Sequence, residues 1–173
     1  MSAAWHDAPR AMSEPTLSHI ATDGTAHMVD VGAKPVTPRM ARAEGFVRIS
    51  PELERQVRDN TLAKGSLLEV ARLAGMQAAK RTDELVPLCH QLPLDSVEVH
   101  LTVEPGRVRV TATTRATART GVEMEALTAV SVACLTVIDM GKAVDRAMVI
   151  EGVRLLEKTG GQRGDWRAPD ARA

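Results

Sequence analysis

Residues 97–112 read VEVHLTVEPGRVRVTA, with apolar side chains on every second position. Val97, Val99, Leu101 and Val103 alternate with Glu98, His100 and Thr102, and Val108, Val110 and Ala112 resume the alternation after Pro105-Gly106. A period of two marks a half-buried strand, and a central Pro-Gly pair marks a turn. The stretch is expected to be an antiparallel hairpin with one apolar face, so the rest of the chain must supply a layer to cover it.

The flanking sequence offers helices for that layer. Residues 44–49 read as a short strand running into Ser50-Pro51, a serine cap ahead of a proline at the first helical position. A helix is expected over about 51–61, with Leu53 and Val57 on one face. Ser66 and Glu69 have capping-box spacing ahead of LLEVARLAGMQAAKRT, whose last turn would carry Lys80 and Arg81. Thr120 and Glu123 repeat that spacing before a long helix reaching about Ala143. AMVIEGVRLLEK then reads as a strand, and TGGQRGDWRAPDARA as loop and tail. The order matches a ferredoxin-like split β-α-β-β-α-β unit with an extra helix, an α+β fold whose antiparallel sheet is backed by helices on one face. The other face would need cover, which suggests oligomerisation.

A length of 173 residues with 44% hydrophobic content suits a single domain. It is expected over 27–166, between a disordered N-terminal tail, 1–26, and a C-terminal tail, 167–173. Lys plus Arg and Asp plus Glu both number 22, so no basic field exists to hold a nucleic acid, and 2% aromatic content offers no platform for stacking bases. Two cysteines, Cys89 and Cys134, are too few for a disulfide framework or a four-thiolate zinc site, and fit a reduced, cytosolic compartment. The N-terminal stretch has no apolar signal core, and the apolar run 126–138 is interrupted by Thr128, Ser131 and Thr136 and falls short of the ~20 residues of a membrane span. A soluble chain, without membrane association, is expected.

Cys89 and His90 stand side by side in LVPLCHQLPL. In extended chain adjacent side chains point to opposite sides, which excludes a nucleophile–base dyad. His6, His19, His27 and His100 lack ligand spacing, so no metal site is expected. Cys89 reads as a packed thiol, while His90 fits either an incidental surface histidine or a working imidazole. The long helix carries Glu123 and Glu125 near one end and Asp139 and Lys142 near the other. Asp139 and Lys142 are neighbours on one helix face, as in a surface ion pair or a partly buried acid–base unit. Glu125 and Asp139 lie about 21 Å apart along a helix rising ~1.5 Å per residue, so both cannot touch one reacting atom. A site using both ends would join the start of one chain's helix to the end of another's. Lys34, Arg39, Lys64, Lys80, Arg81, Lys158 and Arg163 fall in loops or at element ends, and without a P-loop pattern any phosphate site must be assembled from separate loops.

In order from His27 to Trp166, the stretches HMVDVGAK, AKGS, AGMQAAKRT, LVPLCHQLPL, TGVEMEALTAVSVACLTVIDMGKAV and VRLLEKTGG closely resemble the cyclic pyranopterin monophosphate synthase family, molybdenum cofactor biosynthesis protein C. The resemblance implies a cytoplasmic ferredoxin-like homohexamer, a trimer of dimers with sites between subunits. It implies a lyase that takes a cyclised dihydroguanosine triphosphate, made from GTP by a radical S-adenosylmethionine cyclase, to cyclic pyranopterin monophosphate and diphosphate. Catalytic roles fall on Asp139, Lys142, His90, Lys64 and Glu125, and substrate contacts on Leu88, Cys89, His90, Glu123, Met124, Glu125, Lys80, Arg39 and Asp30. No cofactor is implied as required, and Mg²⁺ with the triphosphate is left open. The chain departs from the family at Gln91, where a proline usually follows the histidine, and at Ser66, often an aspartate; neither change removes a group assigned to chemistry. Two readings from other classes are a non-catalytic nucleotide-binding or assembly subunit, which turnover would exclude, and a Cys-His metal module, which would carry stoichiometric zinc.

Overall fold

A computed structural model describes residues 19–21, 23–162 and 164–169. Along the chain come β1 (Thr37–Arg48), α1 (Pro51–Arg58), α2 (Leu67–Ala79), the single-turn α3 (Thr82–Leu85), β2 (Ser96–Glu104), β3 (Arg107–Ala118), α4 (Glu123–Gly141), β4 (Val149–Thr159) and β5 (Trp166–Arg167). The strands form one antiparallel sheet in the order β2-β3-β1-β4-β5. Its first four strands, with α2 and α4, have the expected ferredoxin-like arrangement.

The hairpin closes as its alternation requires, with Val103 opposite Val108 and Glu104 opposite Arg107. Gly106 supplies the positive φ, +73°, of its turn. β3 then runs beyond Ala112 to Ala118 and pairs with β1 from Thr37 to Arg48. β1 therefore begins at Thr37 rather than at residue 44, because pairing with β3 makes a strand of TPRMARA, a stretch with no alternation of its own. The apolar face of the sheet presents Ala41, Ala43, Val47, Val99, Val108, Val110 and Ala112 to the helix layer, where α4 buries Ala126, Ala129, Val130, Ala133, Cys134 and Val137 and α2 packs over Val99. α2 lies close beside α4: a Cβ on Gly75 would come within 2.9 Å of the Ala129 carbonyl oxygen. α4 is long and apolar enough to cross a membrane, more so than the run 126–138 suggested, but half of that span is buried within the fold, as in a core helix.

The other sheet face, expected to need cover, is hydrophilic. Glu44 there is 3% exposed, and its carboxylate lies 2.7 Å from Arg109 and 2.9 Å from Arg154. The Arg107 guanidinium stacks over Phe46, and Arg115 pairs with Glu98 at 2.7 Å. An antiparallel sheet can present such a face to water. Exposed apolar side chains lie on the helices, at Val70 and Leu73 of α2 and Leu135 of α4, and also on the strands, at Val149 and Val153 of β4 and Trp166 of β5.

Helix ends follow the sequence in part. Ser50 caps α1, accepting from the Leu53 amide at 3.3 Å, with Pro51 at the first helical position, but the helix stops at Arg58. Neither expected capping box forms. Ser66 precedes α2 without a side-chain cap, and Glu69 pairs along the helix with Arg72 at 3.1 Å. α4 starts at Glu123 with Val122 as its cap, because the Glu123 carboxylate turns to Lys158 on β4, at 3.2 Å. Lys80 is the C-cap of α2 and Arg81 the residue ahead of α3, both just beyond the expected last turn. Of the expected N-terminal tail, residues 1–18 and 22 lie outside the described residues, whereas Ile20 and Ala26 form a β-bridge. The C-terminal stretch expected as loop and tail holds β5, and Ala168 is buried with its amide bonded to the Leu156 carbonyl at 2.7 Å.

Candidate functional site

The N-terminal end of α4, the Leu88–His90 loop and the start of β1 enclose a cleft of about 940 Å³. Arg39, Leu88, Cys89, His90, Glu123, Met124 and Glu125 all line it. Each arrives from a different part of the fold. Pro87 and Leu88 turn the chain after α3, β1 carries Arg39, and the first turn of α4 presents the Glu-Met-Glu run.

Glu125 is 4% exposed. Burial, opposed by its own backbone amide and then reinforced by the Glu123 and Asp83 carboxylates, pushes it up to about 7. It can therefore hold or release a proton near neutrality. Glu123 pairs with Lys158, which lies near the end of β4 as expected and lines the same cleft. Burial, then the Glu125 and Asp83 charges, raises the Cys89 thiol above its usual value, which fits a packed thiol rather than a thiolate nucleophile. His90 Nε2 lies 2.8 Å from the Val29 carbonyl oxygen. A carbonyl only accepts, so Nε2 carries the proton, and Nδ1 is the nitrogen left to exchange one.

A second group of expected residues gathers at the opposite end of α4. Lys142 Nζ lies 2.7 Å from Asp139 Oδ1, and Lys64 Nζ donates to the Asp139 backbone carbonyl at 2.8 Å and lies 3.8 Å from its Oδ2. Lys64 and Lys142 also line a separate hollow of about 510 Å³ with Ile138, Asp145 and Arg146. The hydrogen bond and charge of Lys142, then the charge of Lys64, hold Asp139 below the usual carboxylate range. Partial burial of the Asp139–Lys142 pair, one of its two expected forms, is absent within one chain: the side chains are 61% and 59% exposed, although Val137, Met140 and Gly141 beside them are buried. The unbroken helix between the clusters keeps Glu125 and Asp139 about 21 Å apart.

Two expected substrate contacts lie outside both hollows. Asp30 accepts from the Gly32 amide at 2.7 Å and does not line the cleft, although its neighbours Val29 and Val31 do. Lys80 is exposed at the end of α2. Arg163 lies outside the described residues. Among the other loop cations, Lys34 lines the cleft, and Arg119 joins it with Nε donating to the Lys34 carbonyl at 3.2 Å. Arg119 was not singled out in the sequence. Its signal was its position, between the end of the β3 alternation and the Thr120-Gly121 approach to α4. The Gly160-Gly161 turn after β4 closes one side of the cleft. Among the described residues, no three His, Cys, Asp or Glu side chains converge as a metal-ligand set.

Residues 28–161 match the MoaC family. A cyclic pyranopterin monophosphate synthase of Parvibaculum lavamentivorans is 53% identical over 159 residues, covering 91% of this chain and 99% of the relative. Proteins named cyclic pyranopterin monophosphate synthase 1 in Mycobacterium bovis and Mycobacterium tuberculosis are each 56% identical over 152 residues, covering 87% of this chain and 89% of the relative. On the extent of that match and on those identities, the chain belongs to the MoaC family.

Proposed function

We propose that the chain is a cyclic pyranopterin monophosphate synthase, a lyase of molybdenum cofactor biosynthesis. Its substrate in this reading is a cyclised dihydroguanosine triphosphate, and its products are cyclic pyranopterin monophosphate and diphosphate. The names of its relatives support the reaction. The observation that carries it structurally is the cleft joining a buried carboxylate that titrates near neutrality, Glu125, to His90 and the cationic Arg39.

In this reading the cleft takes the nucleotide-derived ring system, with Leu88, Cys89 and Met124 as its walls. Glu125 and His90 Nδ1 are the groups that hold or move protons there. Arg39 meets phosphate oxygens, supported by Lys34, Arg119 and Lys158, and stabilises charge on the leaving diphosphate. Mg²⁺ travelling with the triphosphate belongs to the substrate here, and no resident cofactor is invoked. Asp139 keeps the Lys142 and Lys64 ammonium groups together, and Lys142 is the proton donor of that cluster. Lys80 and Asp30 contribute through loops that meet the substrate in the assembled protein.

The two clusters come together across a subunit boundary in a homohexamer built as a trimer of dimers. The rigid length of α4 and the apolar side chains exposed on α2 and α4 support this arrangement. A radical S-adenosylmethionine GTP cyclase supplies the substrate in the same cytoplasmic compartment. The test is to give purified protein the cyclised triphosphate and follow diphosphate and the pterin by mass spectrometry. Matched formation of both is expected; tight binding without either product would leave a non-catalytic binding subunit.

A further inference from the structure

The cleft wall formed by the turn after β4 has a feature that backbone strain alone does not explain. Gly160 and Gly161 follow one another with φ of +86° and +90°, and the Gly160 amide donates to Asp165 Oδ1 at 2.9 Å. A Cβ on Gly160 would overlap the Pro38 carbonyl oxygen, and one on Gly161 would overlap Nη1 of Arg39. The same guanidinium is held from another side, where Nε donates to the Ala118 carbonyl at 3.3 Å and Nη2 to the Arg119 carbonyl at 3.4 Å. Arg39 thus occupies a slot between the end of β3 and the turn after β4. With Nε and part of Nη2 engaged, Nη1 makes no hydrogen bond among the described residues and has its donors left for a ligand, and Nη1 is the atom lying against Gly161.

We infer that Gly161 is a positioning residue for Arg39: its missing side chain is the space that lets the guanidinium stay in its slot with Nη1 free for an anion in the cleft. The inference rests on the reading of Arg39 as a phosphate contact. Gly164 provides a matched control, because it also has positive φ, +69°, but a Cβ there would meet nothing within 4 Å among the described residues. Alanine at either position strains the backbone, and only alanine at 161 displaces Arg39.

Binding of inorganic triphosphate to the full chain, measured by calorimetry, separates these effects. Gly161→Ala is expected to weaken binding about tenfold, the scale of one charge-assisted hydrogen bond, and Gly164→Ala to change it less than about twofold. In an Arg39→Ala background, Gly161→Ala is expected to add no further loss, since coupled sites are not additive. Should Gly161→Ala lower the melting temperature further than Gly164→Ala does, Arg39→Ala is expected to recover only that excess, because the backbone strain at 161 remains. Equal losses for Gly161→Ala and Gly164→Ala, or the same Gly161→Ala penalty with and without Arg39, would overturn the inference. Weakened binding by Arg39→Ala beside unchanged binding by Gly161→Ala removes the positioning role alone; unchanged binding by Arg39→Ala removes the phosphate-contact reading and the inference together.

Discussion

Glu125 occupies the first turn of α4, where the helix N-terminus favours a carboxylate, yet its burial and acidic neighbours push its proton affinity up to about 7. The consequence for stability has a definite sign. A carboxyl group with a folded value near 7 and an ordinary value of 4.5 binds more protons in the folded than in the unfolded state between those pH values. Folding is therefore weakened as pH rises through that window, by on the order of 3 kcal/mol at its upper end. Glu125→Gln, which keeps the shape and removes the charge, is expected to leave stability nearly unchanged at pH 4.5 and to raise it at pH 8. Urea unfolding at both pH values checks this, and an equal gain at each would contradict the account. At this scale the sequence was informative about identity and poor about environment. The Glu123–Glu125 run was visible, but the two acids behave oppositely, because Lys158 reaches only Glu123 and the fold buries Glu125. Similarly, the three-residue spacing of Asp139 and Lys142 correctly placed them together and said nothing of their exposure.

At the scale of elements, hairpin and helix periodicities are local properties, so the sequence placed the β2–β3 hairpin and the cores of α2 and α4. The first half of β1 was illegible because its strand conformation is imposed by β3 and β4. The capping boxes failed for a related reason: both acids have competing partners, one along the helix and one on another strand. What fixes the start of α4 is Thr114, fully buried in β3, whose Oγ1 donates to the Val122 carbonyl at 2.9 Å. Thr114→Val keeps the volume but removes that bond and leaves the carbonyl only the Ala126 amide, at 3.3 Å, at an expected cost of about 1 kcal/mol. Guanidinium unfolding should show the lower midpoint, and activity measured well below the transition should fall as well, because Glu123 and Glu125 follow immediately. A midpoint equal to that of the parent would show that Thr114 does not secure the helix start.

At the scale of the whole molecule, one chain separates the residues that the resemblance had grouped. Arg39, His90 and Glu125 share a cleft at one end of α4, while Lys64, Asp139 and Lys142 cluster at the other. The sequence made this separation legible through the length of the helix alone. It left the second sheet face to be covered; that face is charged, and exposed apolar groups stand on the helices at Val70, Leu73 and Leu135 and on β4 at Val149 and Val153. In the proposed hexamer, one working site combines the cleft of one chain with the lysine–aspartate cluster of another. Subunit mixing tests it most directly. His90→Ala and Lys142→Ala, each prepared alone, are expected to release no diphosphate. Unfolded together in equal amounts and refolded, they should recover about a quarter of the parental rate, since half of random pairs are mixed and each mixed pair contains one intact site. A mixture as inactive as its components would contradict the shared site.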